Sequence, residues 1–216
     1  EMVTRELSHV SLSFGWLVRD WDVEGMQALI PANQPWAEAH FQERVSGIPW
    51  NPPPSHKLWP YAQADNGEWK AGGKFSHTYP ERMFPRHAGG AYPEGDSQEP
   101  WRGLRYHAGD LNDVLDLLVD HPYTRQAYVP IWFPEDTGVV HGERVPCTLG
   151  YHFMIRNGLL TVTYYMRCCD LRRHFTDDVY LAARLAQWVS DQISENLWER
   201  HKIRVRSGLL NMHIAS

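Results

Sequence analysis

Arg156-Asn157-Gly158 stands between two runs of β-branched and aromatic residues, Leu149–Ile155 and Leu159–Met166, and no other feature restricts the fold so strongly. Asn-Gly supplies the two left-handed residues of a tight hairpin turn, so these runs must pair as adjacent antiparallel strands. A third run, Ala127–Phe133, has the same composition and adds a strand beside them. From Asp178 to Ile193 the spacing of Val179, Leu181, Ala182, Leu185, Trp188 and Val189 is helical and predicts a long buried helix on that sheet. A closing strand begins near Ile203, and the run Leu209–Ser216 reads as a strand in progress.

The flanking segments read differently. Apolar Val3, Leu7, Val10, Phe14 and Leu17 recur at three- and four-residue steps, which predicts an amphipathic helix from Val3 to Trp21, with Glu6 near its buried face. The stretch 31–103 is rich in Pro, Gly, Trp and His, with Pro52-Pro53-Pro54 and Gly89-Gly90 inside it, and predicts loops with short helices. Asp110-Leu111-Asn112-Asp113 opens a helix through Val119 that stops near Pro122. The expected class is α+β: a mixed sheet packed against a long buried helix and further helices, in one domain over residues 1–216. Both ends read as cut, since the chain starts at Glu1.

Composition excludes several functions. With 43% hydrophobic residues, 22% charged residues and a net charge of -5, the chain has no polyanion-binding signature, and no run approaches a membrane span. Three cysteines, two of them adjacent, do not make a disulfide framework and point to a reducing cytoplasm.

Cys147, in Arg144-Val145-Pro146-Cys147-Thr148, falls between a loop and a strand, where a thiol is accessible as a nucleophile. Positive charge from an arginine such as Arg167 favours the thiolate and can hold an anionic substrate beside it. From Asp110 to Ile193 the chain resembles the thymidylate synthase and deoxycytidylate hydroxymethylase superfamily. Asp120-His121-Pro122-Tyr123-Thr124-Arg125-Gln126 resembles its Asp-Pro-x-Ser-Arg-Arg turn, Pro146-Cys147 its nucleophile motif, and Arg167-Cys168-Cys169-Asp170 its Arg-Ser-x-Asp motif. Upstream, Arg5-Glu6-Leu7 is similar to the helix with the catalytic glutamate, and Gly73–Tyr79 to the segment with the active-site tyrosine.

The resemblance implies that Cys147 adds to C6 of a pyrimidine nucleotide and so activates C5 toward 5,10-methylenetetrahydrofolate. It assigns Arg167, Cys168 and Asp170 to nucleotide binding, Glu6 to water and proton movement at the base, and Tyr79 to removal of the C5 proton. Arg125 reaches a neighbouring subunit's phosphate site, which implies a homodimer. Trp59 is a candidate neighbour of the folate, and His213 of the sugar.

Asp178 bears on the base. Asparagine at this place in thymidylate synthases complements uracil, whereas a carboxyl group accepts from the cytosine amino group and shares a proton with N3. Asp178 and Thr148 therefore point to dCMP or CMP as substrate and to a 5-hydroxymethyl product; a thymidylate synthase or a cytidylate C5-methylase is the alternative within the fold. Gln126 and Cys168 depart from the family pattern and remove one cation and one hydroxyl from the phosphate site. Outside the fold, His141-Gly142-Glu143 with Pro146-Cys147 is similar to the zinc nucleotide deaminases, but their second cysteine falls at Gly150, so no metal site is expected. A non-catalytic nucleotide-binding relative is the remaining reading.

Overall fold

The computed structural model describes residues 5–15, 21–62, 70–71, 73–85, 109–137 and 145–216. Gly89-Gly90 and His141-Gly142-Glu143 lie outside the described residues, as do Val3 and Leu17.

The hairpin is present as expected. Strands β5 (Thr148–Arg156) and β6 (Leu159–Met166) pair antiparallel around Asn157 and Gly158, both at positive φ (53° and 72°). β4 (Tyr128–Pro130) pairs with β5 on its outer side. It is shorter than the Ala127–Phe133 run because Pro130 donates no hydrogen bond; Ile131 and Trp132 then share the Leu149 carbonyl, and a 3-10 turn follows at Pro134–Asp136. On the other side β6 pairs in parallel with β7 (Arg206–Ile214), and with β1 (Val10–Phe14) at the edge the order is β1-β7-β6-β5-β4.

The parallel β6–β7 pair needs a crossover, and the long helix Phe175–His201 supplies it. This helix is longer than the expected Asp178–Ile193. It ends at Lys202, whose left-handed conformation (φ 57°) lets its N–H close on the carbonyls of Leu197 and Trp198. Val179, Leu185, Val189 and Ile193 join Phe153, Val162, Tyr164 and Met212 in the core.

At the start of the chain the expectation fails. Val10–Phe14 is not helix but strand β1, paired antiparallel with β7 at the sheet edge. A four-residue spacing such as Val10 to Phe14 is in phase with both a helix and a strand, and Ser11 and Ser13 resolve the ambiguity. Their hydroxyls bond His213 (2.9 Å) and Asn211 (2.8 Å) across the pair, while Val10, Leu12 and Phe14 pack against the core.

Within the Pro- and Gly-rich stretch the described residues form α1 (Val23–Leu29) ahead of it, then α2 (Trp36–Val45), a 3-10 turn at Pro54–Leu58, the short pair β2 (Lys70–Ala71) and β3 (Lys74–Phe75), and α3 (Tyr79–Met83). Next comes α4 (Leu111–Asp120), opened by Asp110 and Asp113, which cap one another's backbone N–H groups at 3.1 Å. The crossover helix is α5. Glu38 ties α2 to α5 by accepting from both arms of Arg184 at 3.0 Å and from the Tyr180 hydroxyl at 2.6 Å. Asp177 in the first turn of α5 accepts from the backbone and side chain of Asn33, both at 2.7 Å. The segments with least periodicity are thereby pinned over the N-terminal end of α5. Among the described residues no helix is long and apolar enough to cross a membrane.

Candidate active site

A pocket opens where the start of β5, the end of β6 and the start of α5 meet beneath α2 and α3. Cys147 lies immediately before β5, and the register slips between Thr148 and Gly150. That irregularity needs glycine: a Cβ on Gly150 would lie 2.6 Å from the Val129 carbonyl and collide with the Tyr128 hydroxyl. The bulge thus sets where Cys147 leaves the strand. Arg167 donates its backbone N–H to the Cys147 carbonyl at 2.7 Å, and the next residue brings the Cys168 sulfur to 3.4 Å from that of Cys147.

The two thiols share a charge. The contact with Cys168, with burial, pushes the Cys147 thiol far up, whereas the same contact draws Cys168 down to about 6. Arg167 lowers both. The pair therefore titrates as one unit, holding a single thiolate at neutral pH.

Tyr79 and Thr148 stand beside Cys147. The Thr148 hydroxyl is 3.1 Å from the Tyr79 hydroxyl and 2.8 Å from that of Tyr164, and Tyr164 stacks on Tyr151 with centroids 4.5 Å apart. Burial raises the Tyr79 phenol, so it remains a proton donor at neutral pH. Arg44 closes this group from α2: its guanidinium lies 3.9 Å from the centre of the Tyr79 ring and 3.4 Å from the Tyr151 hydroxyl. It is 5% exposed, and among the described residues its Nε has no hydrogen-bond partner.

Asp178 projects from the first turn of α5 with Cys169 Sγ 3.4 Å from its Oδ2. Burial raises its carboxyl to about 7, while Arg44 and the Cys169 hydrogen bond oppose the rise. Burial and the Asp178 charge also raise Cys169. An aromatic wall adjoins Asp178, built on His174, whose carbonyl accepts the Asp178 N–H at 2.8 Å. Trp59 stacks on His174 (6.2 Å), Tyr61 meets His174 edge-on (5.6 Å), and His56 packs against Trp59 (5.9 Å) and Phe75 (4.8 Å).

The structure thus brings Cys147, Tyr79, Cys168, Asp170 and Asp178 to one pocket, with Trp59 in its wall. Four expected residues are elsewhere. Glu6 is exposed in the coil before β1 and does not line the pocket, because the expected helix is replaced by an edge strand. Arg125 is exposed in the loop before β4, where its backbone carbonyl lies 3.0 Å from His152 Nε2. Arg167 is exposed beside Cys147, its Nε 3.5 Å from the Pro146 carbonyl. His213 is exposed on β7, stacked on Tyr165 at 5.5 Å.

The sequence reading missed His40, Arg44, Ser55, His56 and His174. Trp36, His40 and Arg44 recur every fourth residue, a stripe that was available as a signal. Among the described residues, no group of three or more His, Cys, Asp or Glu side chains is arranged to hold a metal ion.

The sheet, its crossover helix and the helices over the pocket make a thymidylate synthase-like fold. Against solved structures the chain is similar to thymidylate synthase from T4 phage, with a TM-score of 0.54 and 18% identity, over 97% of this chain and 65% of that one. In sequence it is 27% identical over 103 residues to a Methanosarcina barkeri (strain Fusaro) protein described as "Putative thymidylate synthase". That match takes in 47% of this chain and 45% of the relative, so the shared part is less than half the length of either. No family model matches the chain.

Proposed function

We propose that this chain transfers a one-carbon unit to C5 of a cytidylate, dCMP or CMP, giving the 5-hydroxymethyl nucleotide. The observation that carries the reading is the shared pocket of Cys147 and Asp178, with the Asp178 carboxyl raised to about 7. A carboxylic acid that keeps its proton near neutrality donates to cytosine N3 and accepts from the N4 amino group. Against uracil the ionised fraction of the same group sets acceptor against acceptor at O4, and a buried mismatch of this kind discriminates by ~10⁴.

In this reading Cys147 passes its thiol proton to the Cys168 thiolate 3.4 Å away as its sulfur bonds to C6, and the electron pair moves to C5, which becomes nucleophilic. A bound 5,10-methylenetetrahydrofolate supplies the carbon, and the wall of Trp59, His174, Tyr61 and His56 suits its flat pterin ring. Tyr79 takes the C5 proton on its oxygen as it passes its own hydroxyl proton on to the departing amine of the carbon donor, so that the phenol ends neutral. Water provides the hydroxyl, and expulsion of Cys147 restores the ring. The sum is cytidylate, methylenetetrahydrofolate and water to hydroxymethylcytidylate and tetrahydrofolate.

Arg167, Cys168 and Asp170 are assigned to the nucleotide. Arg125 does not line its own chain's pocket, and we assign it to the phosphate of a second copy, in a homodimer. The whole chain forms one domain with a loop-rich insertion at about 31–103.

The test is incubation with methylenetetrahydrofolate and dCMP, CMP or dUMP, with product mass and tritium release from C5 as readouts. Hydroxymethylcytidylate is the expected product, and C147A is expected to abolish tritium release. Unchanged release in C147A, or dTMP or hydroxymethyl-dUMP as the main product, overturns the reading.

A further inference from the structure

His40 is 7% exposed, lines the pocket and has both ring faces constrained: Trp36 stacks on it at 5.1 Å and Tyr79 meets it edge-on at 6.2 Å. Its Nδ1 faces two oxygens, Glu43 Oε2 at 3.5 Å and Ser55 Oγ at 3.3 Å. Neither can donate to it. Glu43 is held ionised, because hydrogen bonds from His40 and Ser55 outweigh the burial that would raise it. The Ser55 hydroxyl gives its own proton to Glu43 at 2.5 Å, and the Ser55 backbone N–H gives a second bond to the same carboxylate. Nδ1 must therefore carry the hydrogen.

The other nitrogen follows from this. Burial and the nearby Arg44 charge lower His40 to about 4, against the opposing pull of Glu43; His56 on the 3-10 turn adds a smaller lowering effect. The ring is thus neutral, and Nε2 holds a free lone pair. Among the described residues none makes a hydrogen bond to it. A carboxylate that fixes one histidine nitrogen so that the other can accept a proton is the orienting arrangement of general-base sites.

The position selects the step. Through Tyr79, His40 adjoins the Thr148 and Cys147 end of the pocket, and through His56 it adjoins Trp59 and the aromatic wall. It therefore lines the same pocket as the group that attacks the base and the rings on which the carbon donor stacks, where the new exocyclic carbon meets water.

We propose that His40 Nε2 is the base that binds and deprotonates this water, oriented by Glu43 and Ser55, so that the intermediate ends as a hydroxymethyl group. The inference rests on the C5-transfer reading above. The water O–H bond breaks, its proton goes to Nε2 and its oxygen bonds to the exocyclic carbon. The displaced electron pair returns through the ring to expel the Cys147 thiolate, and His40 then releases the proton to solvent.

The experiment compares C5 tritium release with hydroxymethyl product in wild-type protein, H40N and H40Q. Tritium release reports the steps before water addition, and product reports all of them. Both variants are expected to keep tritium release within about threefold while product falls about 100-fold. An equal fall in both readouts, or no fall in product, overturns the base assignment. Wild-type protein that releases no tritium from any cytidylate overturns the C5-transfer reading instead. ¹⁵N NMR of the wild-type His40 ring gives an arm independent of turnover and of variant folding. The Nδ1–H tautomer is expected throughout pH 6–8, and an Nε2–H tautomer overturns the inference.

Discussion

The sulfurs of Cys147 and Cys168 lie 3.4 Å apart, so Cys147 has for its acid–base partner a second thiol that draws the charge to itself. Serine at position 168 would still donate to a Cys147 thiolate but would not compete for the negative charge. C168S is therefore expected to lower the Cys147 thiol and to speed its alkylation by iodoacetamide at pH 7 about tenfold. Peptide mass mapping over pH 5–9 checks this, and an unchanged Cys147 rate would mean that the two thiols do not share a charge.

The same contact makes the pair an oxidation target. A disulfide needs a sulfur separation of about 2.04 Å, so closure asks for about 1.4 Å of movement, starting from the 3.4 Å contact. Diamide, reduced to its hydrazine as it takes two hydrogens, is expected to remove two titratable thiols per chain and to block Cys147. Dithiothreitol should reverse both effects. Cys169 is turned to Asp178 and should stay free; a Cys147–Cys169 bridge in the peptide map would contradict the geometry.

Asp178 should leave a signature in stability. Its folded carboxyl is raised from 3.8 to about 7, so between those values the unfolded chain ionises while the native one does not, and the group's contribution to stability falls as pH rises. The loss is complete above about pH 7 and cannot exceed ~4 kcal/mol. His40, lowered to about 4, contributes the opposite slope in both proteins. The difference between D178N and wild type isolates Asp178: D178N should gain relative stability from pH 4 to pH 7 in urea unfolding and then level off. R44M should extend the falling slope to higher pH, because Arg44 holds the carboxyl down. A pH-independent difference would show that Asp178 is ionised throughout. In turnover, D178N is expected to shift preference from cytosine toward uracil nucleotides.

How far the sequence speaks depends on how local the determinant is. Asn157-Gly158 and the Asp110–Asp113 cap act within a few residues, and both are read correctly from composition. Cys147, Tyr79 and Asp178 come from distant segments, and only their order in a family pattern brings them together. His40 and Arg44 escape because a short helix with glutamates on either side reads as a solvated face. What turns this stripe inward is Glu38 clasping Arg184 and Tyr180, a contact across more than a hundred residues. The helix expected over Val3–Trp21 fails because Val10 and Phe14 fit two periods equally, and pairing with β7 makes the choice. The Cys147–Cys168 contact also depends on register: the slip at Gly150 sets which residues face one another at the open end of the hairpin.

Tyr79 is held at a distance by a buried ion pair. Arg82, three residues further along α3, gives Asp136 two hydrogen bonds, at 2.7 and 2.9 Å, with side-chain exposures of 3% and 1%. Asp136 also accepts from the Phe133 N–H at 2.9 Å, and Arg82 lies over the Phe133 ring at 4.6 Å. D136A leaves the guanidinium buried without its carboxylate, which costs about 3–5 kcal/mol, whereas replacing both members by apolar residues avoids the stranded charge. D136A is therefore expected to lower the urea midpoint sharply, and R82M/D136L to recover much of the loss. Since α3 carries Tyr79 against Thr148, D136A should also slow C5 tritium release under conditions where the protein remains folded. A D136A cost below about 1 kcal/mol would place the pair in water rather than in the core.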